Sequence, residues 1–142
     1  TAVFLTGSPD DAPGALMHNV KHNHVLHARN LILHVITDDL PRVPEPDRVT
    51  VRRLSDAFSY VTLRFGFMEL PDLPTALAAA GFDTVNLSYF LTRRVLVASP
   101  ETGMPVWQDR LYIAMALAAT DASRYFRIPA DRAVEIGARI DI

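Results

Sequence analysis

The chain opens on a short apolar run, Ala2 to Thr6 (AVFLT), closed by the turn-rich GSPDDAPG. That punctuation predicts a strand running into a loop. From Pro13 the spacing changes: Leu16, Met17, Val20 and His24 recur at three and four residues, the period of a helix with one apolar stripe. NLILHVIT, Asn30 to Thr37, is continuously apolar and rich in β-branched residues, as in a strand covered on both faces. Strand, helix, strand in this order predicts a right-handed βαβ unit with parallel strands. The proline- and acid-rich DDLPRVPEPD that follows reads as a surface loop.

Further on, RVTVRRL and YVTLRFGF both alternate, with Val61, Leu63, Phe65 and Phe67 on one side. The link from Ser55 to Phe58 predicts an antiparallel hairpin between them. LPDLPTALAAAG signals a short helix, with Asp72 as N-cap, Pro74 in the first turn and Gly81 past the end. NLSYFLTRRVLVAS predicts a strand with a break or bulge near Thr92–Arg94. The clearest helix lies in GMPVWQDRLYIAMALAATDAS, where Trp107, Leu111, Ala114, Met115 and Ala118 share one face. The chain closes on AVEIGARIDI, with Val134, Ile136, Ala138, Ile140 and Ile142 expected inward and Glu135, Arg139 and Asp141 outward. The sum is an α/β (α+β) domain spanning residues 1–142. It is expected to carry a mixed β-sheet of about five to seven strands, an N-terminal βαβ unit and three packed helices.

Composition narrows the chemistry. At 142 residues, 49% of them hydrophobic, the chain is long enough to bury a core without staples. It has no cysteine, so disulfides, thiol catalysis and cysteine-ligated zinc are excluded. A net charge of −2 gives no attraction for nucleic acid. The arginines at 52, 53, 93 and 94 lack the interleaved aromatics of a single-strand binder. No signal peptide is visible at the start. The longest apolar stretch, Leu111 to Ala119, is about half of what a membrane span needs.

HNVKHNHVLHARN concentrates His18, His22, His24 and His27 in a chain with five histidines. His18 and His22 stand at the spacing of two zinc ligands on a helix, but no third ligand is marked. His24 and His27 fall at the helix end, where the macrodipole favours histidine without any ligand. His34 interrupts an apolar strand and is expected to be hydrogen-bonded in the core. A surface, capping and packing role is therefore expected, with no metal and no cofactor. The loop TGSPDDAPG, with Thr6 and Ser8, sits where a βα unit binds small anions or nucleotides, but it matches no glycine-rich phosphate motif. No nucleophile–base–acid set is signalled, so no enzyme activity is expected. The alternative is a stand-alone α/β small-molecule (nucleotide) binding protein or enzyme.

Three stretches carry a family resemblance: HNVKHNHVLHARNLILHV, RFGFMELPDLPTAL and YFRIPADRAVEIGARIDI. Together, and in order along the chain, they resemble the C-terminal cytosolic domain of bacterial potassium uptake transporters of the KUP/HAK/KT family. TAVFLTGSPD and SYFLTRRVLV fit the same alignment. The resemblance implies a structural or regulatory domain at the cytoplasmic face of the membrane, beneath a potassium:proton symporter. Its partners would be the transmembrane body of its own parent chain, a second copy in a homodimer, and a cytosolic nucleotide signal; some members respond to a cyclic dinucleotide. His18, Asn19, Lys21 and His22 stand at family-typical places. With Thr6 and Ser8 they are the candidate contacts for a ligand or for the membrane body. The homodimer is expected to use the last strand or the strand around Arg93 and Arg94.

Overall fold

The computed structural model describes residues 1–97, 105–118 and 121–141. Among them, six strands form one sheet: β1 (Ala2–Thr6), β2 (Asn30–Asp38), β3 (Val49–Arg53), β4 (Phe58–Gly66), β5 (Ser88–Val97) and β6 (Ala133–Asp141). Their spatial order is β3-β4-β2-β1-β5-β6. All neighbours are parallel except β3 and β4, which form the expected antiparallel hairpin. β1 lies inside the sheet, and Ala2, Val3 and Phe4 are fully buried. This is why it reads as an unbroken apolar run rather than an alternation.

Each face of the sheet has its own core. On one, Val3, Leu31, Leu33, Val61, Leu63 and Tyr89 pack with Leu73, Ala76 and Leu77 of α3 (Leu73–Ala79). On the other, Ala2, Phe4 and Phe90 meet Ala15 and Leu16 of α1 (Gly14–His18), with the Phe4 and Phe90 rings stacked at 4.8 Å. Helix α3 follows its sequence signals closely. The Asp72 side chain accepts from the Thr75 amide at 3.1 Å, Pro74 lies in the first turn, and Gly81 stops the chain at φ 89°.

Several expectations are revised. α1 continues as one π-helical turn, Asn19–Asn23. The buried face is Ala15, Leu16 and Asn19, at the ordinary helical spacing of three and four, while Met17 and Val20 lie off that face and are exposed. β2 is well covered only at its start, and Ile36 is exposed. The connection to β4 runs through α2 (Glu45–Arg48) and the edge strand β3, so no long crossover helix is layered over this part. The expected surface loop DDLPRVPEPD therefore contains most of α2 and buries Val43, and Arg48, expected to open the strand RVTVRRL, is buried as the last residue of that helix. Phe67 lies beyond the end of β4 and is exposed. β5 keeps unbroken register with β6 from Tyr89 to Val97, with no bulge at Thr92–Arg94.

Helix α4 (Val106–Ala118) forms where the pattern places it, but Trp107, Leu111, Ala114 and Met115 face solvent. α5 (Ala122–Tyr125) is capped by Asp121, whose side chain accepts from the Ser123 amide. β6 is an edge strand, paired with β5 alone. Ile136 packs toward Phe4 and Leu16, whereas Val134 is exposed. The expected orientations of Arg139, Ile140, Asp141 and Ile142, and of Ala118 on α4, lie outside the described residues.

Candidate functional site

From β1 the chain steps outward through β2 to β4, then returns to the other side of β1 and steps outward again through β5 and β6. The carboxyl ends of these five parallel strands share one edge. The crevice between β1 and β5 is the switch point where open α/β sheets bind ligands. The Thr6–Pro13 loop sits there. Its two candidate hydroxyl residues are bound to each other: Thr6 Oγ1 donates to the Ser8 carbonyl at 2.8 Å and accepts from the Ser8 amide at 3.3 Å. α1 begins hard against β5, since a Cβ on Gly14 would stand 3.2 Å from Thr92 Oγ1.

Beside the loop, the part of the sheet without a crossover helix presents a polar floor. His34 Nδ1 lies 3.2 Å from the Thr6 carbonyl oxygen, half-buried rather than in the core. The Arg52 guanidinium stands 5.5 Å over the Tyr60 ring, and Arg64 pairs with Asp38. Burial pushes the Tyr60 hydroxyl above its ordinary range, Arg52 opposing and Asp10 adding. Such a floor can recognise a polar or aromatic group. It offers no nucleophile paired with a base.

The histidine segment is a helix terminus. The His18 and His22 rings stack at 5.4 Å, and Lys21, His22 and His24 are exposed. Asn19 is buried and its amide is committed: Nδ2 donates to the Val25 carbonyl at 3.1 Å, and Oδ1 accepts from Asn23 Nδ2 at 2.9 Å. His24 then reverses the chain at φ 52°, and His27 meets Phe90 edge-on at 5.5 Å. Among the described residues no three His, Cys, Asp or Glu side chains gather at metal-binding distance. The six candidate residues are not brought together. Thr6 and Ser8 lie at the carboxyl end of β1, while the helix carries His18, Lys21 and His22 back along the sheet.

Arg48 and Glu69 were not singled out by sequence reasoning. Glu69 folds back beneath the end of β4. Its Oε2 accepts from the Gly66 amide at 2.6 Å and the Val43 amide at 3.1 Å, and its Oε1 from Arg48 Nη2 at 2.6 Å. Arg48 also donates to the Val43 carbonyl and to Glu45, and its guanidinium lies 5.1 Å from the Phe65 ring centroid. The hydrogen bond from Arg48, and after it that from Gly66, hold the Glu69 carboxyl down from the usual 4.5 to about 2. Gly66 is required by close approach, because a Cβ there would stand 2.3 Å from the Pro41 carbonyl oxygen. The FGFME stretch is thus a clamp tying the β2–β3 connection to the end of β4. A cavity of about 100 Å³ opens beside it, lined by Val35, Thr37, Phe65, Glu69 and Tyr125 among others. The spacing of Glu45 and Arg48 was the one local signal for the clamp's cation.

The full length of the chain, residues 1–142, matches the model of the family described as K+ potassium transporter C-terminal domain. The probable potassium transport system protein Kup of Rhizobium rhizogenes is 54% identical over 100% of this chain and 23% of its own length. The protein of that name from Rhizobium tropici is 54% identical over 100% of this chain and 69% of its own length. The probable potassium transport system protein Kup 1 of Rhodopseudomonas palustris is 52% identical over 99% of this chain and 23% of its own. The chain thus spans about a quarter of the length of two of these three relatives. No solved structure matches it. Among the described residues no helix is long and apolar enough to cross a membrane.

Proposed function

Because the chain belongs to the family of C-terminal domains of K+ potassium transporters, we propose that it is the structural or regulatory domain of a potassium:proton symporter. Residues 1–142 act as a single domain at the cytoplasmic face, attached to the transmembrane body of the parent chain, and the parent takes up K+. The observation that carries this reading is the unbroken match from the first residue to the last, with relatives named as potassium transport proteins at about half identity. The domain itself has no turnover. It works as a homodimer and receives a cytosolic nucleotide signal, for which the switch-point crevice with Thr6 and Ser8 is the best-placed entry. Exposed Lys21 and His22, with His18 beside them, are the proposed contact with the membrane body; Asn19 holds the turn that presents them. The rival stand-alone enzyme is disfavoured by the whole-length match to transporter domains.

The test is transport by the full-length parent in a bacterium lacking its own potassium uptake systems. Growth at limiting K+ and rubidium tracer uptake should be restored, and both should collapse when the proton gradient is dissipated. A parent that reaches the membrane but moves no K+ would refute the reading.

A further inference from the structure

The two edges of the sheet carry different charge. At the amino edge, on the β2–β4–β3 side, Lys21, Arg29, Arg52 and Arg53 are all exposed. Lys21 lies in the turn that ends the first crossover, Arg29 directly precedes β2, and Arg52 and Arg53 close β3. The Asn30 amide donates to the Ala57 carbonyl at 2.8 Å, which sets the start of β2 beside the β3–β4 hairpin tip. One acid stands among these cations, Asp56, and it is bonded to Arg53 at 2.7 Å. Asp83 and Asp131 lie at the β5–β6 end of the edge, with Arg132. The carboxyl edge is the reverse, with Asp10, Asp11 and Asp39 exposed beside a single exposed arginine, Arg42, among the described residues. Apolar side chains protrude among the amino-edge cations: Val25 is 48% exposed, Leu26 49% and Leu54 49%. We propose that this edge rests on an anionic lipid bilayer, its cations on headgroup phosphates and Leu26 and Leu54 reaching the acyl boundary. The proposal rests on the cytoplasmic-face reading above and adds a lipid contact to it.

Three observations select lipid. The first is charge complementarity. An anionic leaflet attracts each Lys or Arg near it by about fivefold in affinity, and the amino edge offers four. The second is the mixture of cations with half-exposed leucines. A soluble polyanion makes use only of the charges, whereas a bilayer interface takes both the charge and the apolar side chain. The third is attachment. β1 begins at this edge, and in a C-terminal domain the rest of the parent chain joins ahead of Thr1. The edge by which the parent enters is therefore the one held nearest its membrane. The acids of the carboxyl edge stand off by at least the length of β1, about 17 Å. That exceeds the screening length of about 10 Å at 0.1 M salt, so they do not oppose the contact. In this orientation the switch-point crevice opens away from the lipid.

The sheet and both of its cores are built from residues of this chain, and the 142-residue chain can be measured as it stands. It is sedimented with vesicles of equal phosphatidylglycerol and phosphatidylcholine, and with vesicles of phosphatidylcholine alone, at about 0.1 M and about 1 M salt. Binding is expected to the anionic vesicles at the lower salt only. Arg29→Gln with Arg52→Gln should weaken it by about 30-fold. Leu26→Ser with Leu54→Ser should weaken it by about 10-fold or more at unchanged charge. All four side chains are exposed, so circular dichroism should be the same in both variants. Asp10→Asn with Asp11→Asn should leave the affinity as it is. Equal binding to neutral vesicles, no binding to anionic ones, or wild-type affinity in the arginine variant overturns the proposal. Wild-type affinity in the leucine variant overturns the lipid surface in favour of a soluble polyanion, and tighter binding by the aspartate variant overturns the orientation. Each of these failures leaves the transporter reading standing if the parent restores growth at limiting K+. A parent that moves no K+ overturns that reading whatever the vesicles show.

Discussion

Replacing Glu69 by glutamine isolates one negative charge with almost no change in shape. Its carboxylate accepts from two backbone amides and from Arg48, whose side chain is 10% exposed; that of Glu69 is 17% exposed. The folded group titrates at about 2 against 4.5 when unfolded, a linkage of about 3 kcal/mol at neutral pH before allowing for solvent screening. Partial exposure reduces this to about 2 kcal/mol. Glutamine also leaves the buried Arg48 guanidinium with only the exposed Glu45 as counter-charge, so a total loss of about 3 kcal/mol is expected at pH 7. The sign follows from the lowered folded pKa. The stabilisation is complete above about pH 5 and is lost as pH falls through about 2. Urea denaturation of the wild type and Glu69→Gln across this range is the assay. The two curves should differ by the full amount at pH 7 and converge toward pH 2. A difference below about 0.5 kcal/mol at pH 7, or one independent of pH, would refute the clamp as the source of stability.

Gly66→Ala should cost about 3 kcal/mol, because the new methyl meets backbone at Pro41 and Arg42, which cannot rotate away; thermal denaturation reads it. Asp72→Ala removes the cap on Thr75 and should cost about 1 kcal/mol in urea, whereas Asp72→Asn should cost much less. Because His18 and His22 meet no third ligand among the described residues, the melting temperature should be the same with EDTA as without. A fall of several degrees reversed by zinc would show that the segment holds a metal.

Much of this fold is written locally. The α3 helix depends on contacts a few residues long, Asp72 to Thr75 at one end and the left-handed Gly81 at the other, so its signals survive without knowledge of the rest. The β3–β4 hairpin and the parallel pairing of β1 with β2 also follow from short-range pattern and the handedness of a single crossover. The family was legible for a different reason: its marks lie in order along the chain and require no geometry.

What the tertiary structure alone decided are the relations between residues distant in sequence. Arg48 reads as the opening charge of the alternating strand RVTVRRL until the end of β4 brings Glu69 within 2.6 Å of it, 21 residues away. Gly66 reads as a strand's end until the Pro41 backbone crosses it. The switch point exists because β5 returns to β1 rather than to β4, a choice no local period encodes. Hydrophobic spacing on α4 specifies that Trp107, Leu111 and Met115 form one stripe. It is silent on whether the stripe is buried, because burial depends on what stands opposite, and among the described residues nothing covers it.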